Sequence, residues 1–375
     1  MQTRLNEIAA RVIGKSDRGH PADAELREEL KRAGGLSRAD SREISRAVFA
    51  YYRWLGWLDQ TETVVDRITK AIELNERFRE QPNTFTDDEL AAKAVPVWVN
   101  EQMEILPAWA KSLQSEPPLW LRARRGQAKI LAEQLGECWV GEGVLSDAIC
   151  YEGSEDLFRT AEFHTGEFQL QDISSQAVGL LCEPQPGETW WDVCAGEGGK
   201  LLHLSDLMQN KGLIWASDRV EWRLKKLKHR AARAKAFNYR VAIWNGSEKL
   251  PTKTKFDGVL VDAPCAGLGT WQRNPHARWT VTPDDVRELS EVQKQLLANV
   301  SPAVKPGGKL IYSVCTMTVA ETNEVVAAFG KQFPQFKPLT LTNPFSAKET
   351  AAQLLFWPHE TSGNGMFVAA WQRIE

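Results

Sequence analysis

The chain has 375 residues, 43% of them hydrophobic and 25% charged, with 46 Lys+Arg against 49 Asp+Glu and six Cys. That length predicts two or three domains, and the composition excludes a wholly disordered or fibrous chain. A formal net charge of −3 gives no overall basicity and, taken alone, argues against a nucleic-acid partner.

Residues 1 to about 115 read as a helical bundle, because apolar residues recur at spacings of three and four in Ile44, Val48, Tyr51, Tyr52, Leu55, Trp57 and Leu58. Further helices are predicted at Leu5–Ile13, Ala24–Ala33, Val64–Leu74 and Asp87–Met103. Ser37 to Asp40, with Ser41 and Glu43, predicts a helix start before the longest apolar run. The opening residues Met1 to Glu7 lack the apolar stretch of a signal peptide, and nowhere do 18 apolar residues follow one another. A soluble cytoplasmic protein with no membrane partner is therefore expected. In that reducing compartment Cys138, Cys150, Cys182, Cys194, Cys265 and Cys315 are expected as free thiols, and without any C-x-x-C spacing no metal site is expected.

Pro117 and Pro118 break the helical pattern. Leu119–Ala123 then reads as a strand and Ala128–Leu135 as a short helix, within a mixed α+β stretch that runs to about Gly166. From Gln169 onward, strand-like runs at Thr189–Val193, Leu213–Ser217, Arg240–Trp244, Gly258–Val261 and Lys309–Ser313 alternate with helical ones. That alternation predicts a mostly parallel sheet with helices on both faces.

The first of these strands, Trp190-Trp191-Asp192-Val193, runs through Cys194-Ala195 into Gly196-Glu197-Gly198-Gly199-Lys200 and then a helix. Glycines there permit close backbone approach and present N–H groups at a helix start, where a ligand can sit. Asp218, at the end of the next strand, can accept hydrogen bonds from a ribose hydroxyl. The spacing is G-x-G-G preceded by an acid, whereas dinucleotide turns carry G-x-G-x-x-G; the pattern favours S-adenosylmethionine (SAM) over NAD.

Two later strands end in cysteine, in Asp262-Ala263-Pro264-Cys265 and in Tyr312-Ser313-Val314-Cys315. Ligands bind at the carboxyl ends of strands in open α/β sheets, so both cysteines are expected to face one crevice. The other four cysteines read as small buried hydrophobes.

These motifs, with Arg273-Asn274-Pro275-His276-Ala277-Arg278-Trp279, Glu321 and Glu324, the Gln169–Gln176 stretch and terminal Gly365-Met366-Phe367-Val368-Ala369, resemble the Sun/Nop, RsmB-like family of SAM-dependent RNA (cytosine-C5) methyltransferases. The resemblance covers about residues 165–372 in family order. It implies a multidomain chain: a NusB-like α-helical domain over 1–115, a small α+β RNA-binding module over 116–168, and a Rossmann-like α/β methyltransferase domain over 169–375.

It also implies a mechanism. Cytosine C5 is a poor nucleophile until a thiolate adds at C6. By resemblance Cys315 attacks C6, Cys265 assists release, Asp262 meets the N3 edge of the base, and Lys200 supplies positive charge. SAM is expected on Cys194, Ala195, Gly196, Glu197, Gly198, Gly199 and Lys200, with Asp218 on the ribose, Arg223, Asn245 near the adenine, and Asp262. The chain departs from the family pattern at Gly196-Glu197, where Ala-Pro is usual, at Asn245, where an acid is commoner, and at Val314-Cys315-Thr316, where Thr-Cys-Ser is usual. Glu197 would bring a carboxylate close to the cofactor's amino-acid moiety.

The implied partner is RNA, ribosomal before transfer RNA, with a single-stranded or flipped cytosine, bound by a monomer. Nine Lys+Arg lie between Arg219 and Arg240 against the single acid Glu221, and Arg122, Arg124, Arg125 and Lys129 form a second cluster. Arg273, Arg278 and Trp279 are candidates to grip or stack on the substrate strand, a core position being the other reading of Trp279. Residues 171–375 hold 24 Lys+Arg against 20 Asp+Glu, so the acidic overall balance does not exclude RNA. Two other readings are a non-catalytic RNA-binding or ribosome-assembly factor, motivated by the altered glycine turn, and an amino-group methyltransferase. The latter predicts Asn/Asp-Pro-Pro-Tyr/Phe where Asp262-Ala263-Pro264-Cys265 stands.

Overall fold

The structure, a computed structural model, describes residues 2–349 and 351–375. Met1, the first residue of the expected helical block, lies outside the described residues. The chain opens with α1 (Gln2–Lys15), α2 (Ala22–Ala33), α3 (Arg38–Arg53), α4 (Val64–Glu80), α5 (Asp87–Lys93) and α6 (Pro107–Ser112). There follow β1 (Leu119–Ala123), α7 (Ala128–Leu135), β2 (Cys138–Val140), β3 (Ala148–Tyr151), α8 (Ala161–His164), β4 (Phe168–Leu170) and α9 (Ile173–Cys182). The next elements are β5 (Thr189–Asp192), α10 (Gly199–Leu207), β6 (Leu213–Asp218), α11 (Glu221–Ala234), β7 (Tyr239–Ile243) and β8 (Phe256–Asp262). The chain ends with α12 (Ala277–Thr280), α13 (Pro283–Val300), β9 (Val304–Val314), α14 (Asn323–Gln332), β10 (Phe336–Pro338), β11 (Gln353–Phe356), α15 (Pro358–Thr361) and β12 (Met366–Arg373). Two compact units result: residues 1–117 with Thr270–Asp285, and Pro118–Gly269 with Val286–Glu375.

In the helical unit, α3 starts as its sequence predicts. The Ser37 side chain accepts from the Asp40 N–H and the Asp40 carboxylate accepts from the Ser37 N–H, a reciprocal cap. Ile44, Ala47, Val48, Tyr51 and Tyr52 then bury one face of the helix. The single helix expected over Asp87–Met103 is instead α5 followed by a 3-10 turn at Val97–Glu101. Pro96 lies between them; it lacks an N–H and forces the preceding residue out of the helical region.

The unit also contains Thr270–Asp285, and here the structure corrects the reading of Arg278 as a grip on a substrate strand and gives Trp279 the other of its two readings, a packed position. Arg278 is fully buried, its guanidinium donating to the carbonyls of Ala94 at 2.9 Å, Leu113 at 3.0 Å and Arg53 at 3.3 Å. Trp279 donates its indole N–H to the Tyr52 carbonyl at 2.7 Å. Both side chains satisfy main-chain acceptors that this bundle would otherwise bury unpaired.

The second unit has two sheets. β2-β3-β1-β4 form an antiparallel four-stranded sheet, with Leu121, Ile149, Tyr151 and Phe168 packed against Leu131 of α7. The larger sheet runs β10-β12-β9-β8-β5-β6-β7, with β11 paired to β12. From β9 to β7 all neighbours are parallel, whereas β12 is antiparallel to β9, β10 and β11. Successive side chains of a strand point to opposite faces. Trp190 therefore packs with Leu201, Leu204 and Leu227, while Trp191 packs with Val259, Leu297 and Tyr312. Among the described residues no helix is long and apolar enough to cross a membrane.

Candidate active site

The carboxyl ends of β5, β6, β8 and β9 carry the residues singled out by sequence. After β5 the chain turns through Gly196 at φ +55° and Gly198 at φ +86° before α10 begins. Both values lie in the left-handed region that glycine enters without a Cβ penalty. The Ala195 N–H donates to the Ser217 carbonyl at 2.8 Å and the Gly196 N–H to Asp218 Oδ2 at 3.0 Å. Asp218 Oδ1 accepts from the Val220 N–H at 2.8 Å. The buried acid at the end of β6 thus ties the glycine turn to its own strand end while each oxygen keeps a free lone pair.

Space above the turn is open. A Cβ added at Gly196 or Gly199 would meet nothing within 4 Å, whereas one at Gly198 would press on the Leu227 side chain. An uncrowded glycine cradle beside a carboxylate with spare acceptors fits a nucleoside ligand lying over the turn, with ribose hydroxyls toward Asp218.

Asp262, at the end of β8, is held from two sides. Lys200 Nζ lies 2.7 Å from Oδ2, and the Ser313 hydroxyl donates to Oδ1 at 2.8 Å. Burial pulls the Lys200 ammonium down, but the charge and hydrogen bond of Asp262 outweigh it and leave the amine above its ordinary value, with the Cys315 sulfur adding to that effect. Asp192, at the end of β5, is 1% exposed, and no side chain hydrogen-bonds to its carboxylate. Burial first, and the neighbouring Asp262 second, push it up to about 7.

Parallel pairing of β8 with β9 puts Asp262 opposite Ser313 and so aligns the two cysteine-bearing ends. Cys265 Sγ and Cys315 Sγ lie 3.3 Å apart in hydrogen-bonding distance. That hydrogen bond, then burial, push the Cys265 thiol well up. Behind them, the Gly269 N–H donates to the Cys315 carbonyl at 3.0 Å and the Gly365 N–H to the Gly269 carbonyl at 2.8 Å.

The structure therefore joins Lys200 to Asp262, Asp218 to Gly196, and Cys265 to Cys315. Other sequence candidates have other neighbours. The Cys194 thiol is pushed up by burial, first of all. Glu197 Oε1 pairs with Lys226 Nζ at 2.9 Å on the surface. Arg223 is exposed with its guanidinium 5.6 Å from the Trp222 ring centre, and exposed Asn245 accepts from the Ser247 N–H at 3.2 Å.

Sequence reading passed over Ser313 and Asp192. Ser313 stands two residues before Cys315, and its period-2 spacing from the cysteine was the available signal. Asp192 had none, because burial of a strand-end acid depends on what covers it.

A model of the family described as 16S rRNA methyltransferase RsmB/F matches residues 179–372. The chain is 37% identical over 215 residues to a probable ribosomal RNA small subunit methyltransferase B from Synechocystis sp., covering 55% of this chain and 48% of that one. The aligned stretch spans about half the length of the curated relatives it matches. Among solved structures, PH0851 superposes with a TM-score of 0.81 at 24% identity over 98% of this chain and 97% of its own, a likeness of fold. A methyltransferase homolog protein from Pyrococcus horikoshii superposes with a TM-score of 0.61 at 26% identity over 71% of this chain and 90% of its own.

Proposed function

This chain belongs to the RsmB/F family of methyltransferases, and from that premise we propose that it methylates C5 of a cytosine in RNA, ribosomal RNA foremost. The observation that carries the reading is the 3.3 Å approach of Cys265 and Cys315 beside the Lys200–Asp262 pair. The glycine turn from Cys194 to Lys200, with Asp218, would hold S-adenosylmethionine, which would supply the methyl group, and Arg223 of α11 and Asn245 beyond β7 would contribute to that site.

The Cys315 thiolate adds to C6 of the cytosine, forming an S–C6 bond and moving the ring electrons toward C5 and N3. Asp262, fixed by Lys200 and Ser313, takes the N3 edge, and the Lys200 ammonium offsets the charge that develops there. Once Cys315 is a thioether, the hydrogen bond and charge that hold the Cys265 proton are gone. When C5 has gained its methyl group and a solvent water has taken the C5 proton, the electrons of the C5–H bond re-form C5=C6 and the S–C6 bond breaks with its electron pair on sulfur. The departing Cys315 sulfur takes the Cys265 proton, which assists release.

RNA reaches this site through local charge rather than net charge. Arg223, Lys225, Lys226, Lys228 and Lys235 of the α11 segment are exposed, with the Arg223 guanidinium 5.6 Å and Lys226 Nζ 4.7 Å from the Trp222 ring centre, an arrangement suited to phosphate and base. Residues 1–115 act as a NusB-like domain, 116–168 as an RNA-binding module and 169–375 as the methyltransferase domain, in a cytoplasmic monomer that acts on a single-stranded or flipped base. Thr270–Asp285 is an excursion from the last of these into the helical unit.

The test is covalent trapping. Cys265→Ala incubated with RNA and SAM accumulates a protein–RNA adduct stable to denaturing electrophoresis, and Cys315→Ala forms none. Equal adduct from both variants would overturn the assignment of roles. Bisulfite sequencing of RNA from a deletion strain against its parent identifies the cytosine.

A further inference from the structure

The two main-chain groups that flank Cys265 are gripped by one buried network. The Ala266 N–H donates to Glu321 Oε1 at 2.8 Å, and the Pro264 carbonyl accepts from Gln293 Nε2 at 2.9 Å. Gln293 Nε2 lies 3.0 Å from the same Glu321 Oε1, and the Thr318 hydroxyl donates to Oε2 at 2.8 Å. The Tyr312 hydroxyl lies within hydrogen-bonding distance of Gln293 Oε1, at 2.9 Å, and of the Glu321 carbonyl, at 2.6 Å. Tyr312, Gln293 and Glu321 are each 0% exposed.

A carboxylate placed here has only neutral hydrogen-bonding partners, and burial pushes it above its ordinary value. Such a group costs stability relative to an apolar side chain of similar size, even when its lone pairs are satisfied. Its position explains what it does in return. Glu321 lies six residues beyond Cys315, on the connection from β9 to α14. The segment that carries one cysteine thereby supplies the acceptor that fixes the loop carrying the other.

We propose that Glu321, braced by Gln293, is a positioning residue that sets the Cys265 thiol against Cys315 and so governs breakdown of the covalent adduct rather than its formation. This rests on the two-cysteine reading given above. Fixing the amide after Cys265 and the carbonyl before it leaves the thiol loop little freedom to swing away once the Cys315 sulfur is bonded to the base. Without the carboxylate the loop relaxes, Cys265 loses its approach to the departing sulfur, and release slows while attack by Cys315 continues.

The experiment compares wild type, Glu321→Ala, Glu321→Gln, Gln293→Met, Cys265→Ala and the double variant Cys265→Ala/Glu321→Ala on one RNA substrate with SAM. Trapped adduct, single-turnover methyl transfer, steady-state turnover and SAM binding are read for each. Glu321→Ala is expected to raise trapped adduct at least tenfold and to slow turnover by a similar factor, with the single-turnover rate and SAM affinity within threefold of wild type. Glu321→Gln, which retains an acceptor for Ala266, should recover most of the turnover. Gln293→Met, which keeps Glu321 and loses only the Pro264 contact, gives an intermediate effect and serves if Glu321→Ala does not fold. The double variant should hold no more adduct than Cys265→Ala alone. Adduct from Cys265→Ala with none from Glu321→Ala or Gln293→Met overturns this proposal alone. Parallel loss of single-turnover rate and turnover without adduct also overturns it, by reducing Glu321 to a structural role. Absence of adduct from Cys265→Ala overturns the two-cysteine reading and this proposal with it.

Discussion

Asp192 brings the electrostatics of the site down to a single group. Its folded value of about 7, against an ordinary value of 3.8, means that the folded state holds a proton that the unfolded chain releases. Stability is therefore full below about pH 4 as far as this group is concerned, and it falls as pH rises toward and through 7. Between pH 5.5 and pH 8 the loss amounts to about 2 kcal/mol. Asp192→Asn removes the titration, so wild type should lose stability relative to the variant by that amount over this interval in denaturant titrations at the two pH values. A pH-independent difference would place the carboxylate in contact with solvent. Gly196 offers a second residue-scale prediction. Gly196→Ala adds a Cβ into open space, so only the left-handed backbone resists it, at about 1–2 kcal/mol. The SAM-dependent family that the motifs resemble usually carries Ala at this position, so calorimetry should show the Kd for SAM within threefold of wild type in a protein that remains folded. A tenfold rise would show that the left-handed turn itself is needed for the cofactor.

Elements were legible to the extent that their signals are local. Leu119–Ala123 and Ala128–Leu135 have the bounds their periodicity predicts, because each segment is long enough to show its own pattern. β9 starts earlier than the predicted Lys309–Ser313, at Val304. Pro306-Gly307-Gly308 stay out of the ladder: pairing with β8 passes from Phe256 opposite Val304 to Gly258 opposite Lys309 through a bulge, and pairing with β12 ends at Lys309, so the turn residues interrupt the strand locally as their chemistry predicts. Strands β10 and β11, of three and four residues, are too short to show a period, and exist because β12 offers them an edge. Gly258 marks a different limit. A Cβ there would overlap the Trp190 ring, so β8 needs glycine at the point where an indole lies against its backbone. Gly258→Ala should destabilise the second unit by about 1–3 kcal/mol through overpacking, read as an earlier midpoint in denaturant unfolding. An unchanged midpoint would show that Trp190 repacks freely.

For the whole molecule, the excursion of Thr270–Asp285 is the decisive feature. Sequence order puts Arg278 and Trp279 next to the cysteine motif, yet their acceptors are the carbonyls of Arg53, Ala94, Leu113 and Tyr52. Arg278→Met keeps the volume but leaves three buried carbonyls without donors, so the helical unit should lose about 3 kcal/mol or more. Limited proteolysis should then cut within residues 1–117 at lower denaturant than in wild type, and unchanged cleavage would show that water replaces the guanidinium. Charge follows the same division of scales. The net −3 conceals 24 Lys+Arg against 20 Asp+Glu beyond residue 170, and an RNA partner depends on where those cations stand rather than on their sum.

By itself the amino-acid sequence determined the alternation of strands and helices, the glycine turn and the acids and cysteines at strand ends, because periodicity and strand-end spacing are carried by neighbouring residues. Only the tertiary structure decided that Cys265 and Cys315 approach to 3.3 Å, that Glu197 turns to Lys226, that Glu321 grips the loop of Cys265, and that Arg278 is structural. Each of these depends on which distant segment fills the space beside a side chain, and burial, pairing and hydrogen-bond satisfaction are properties of that packing rather than of local order along the chain.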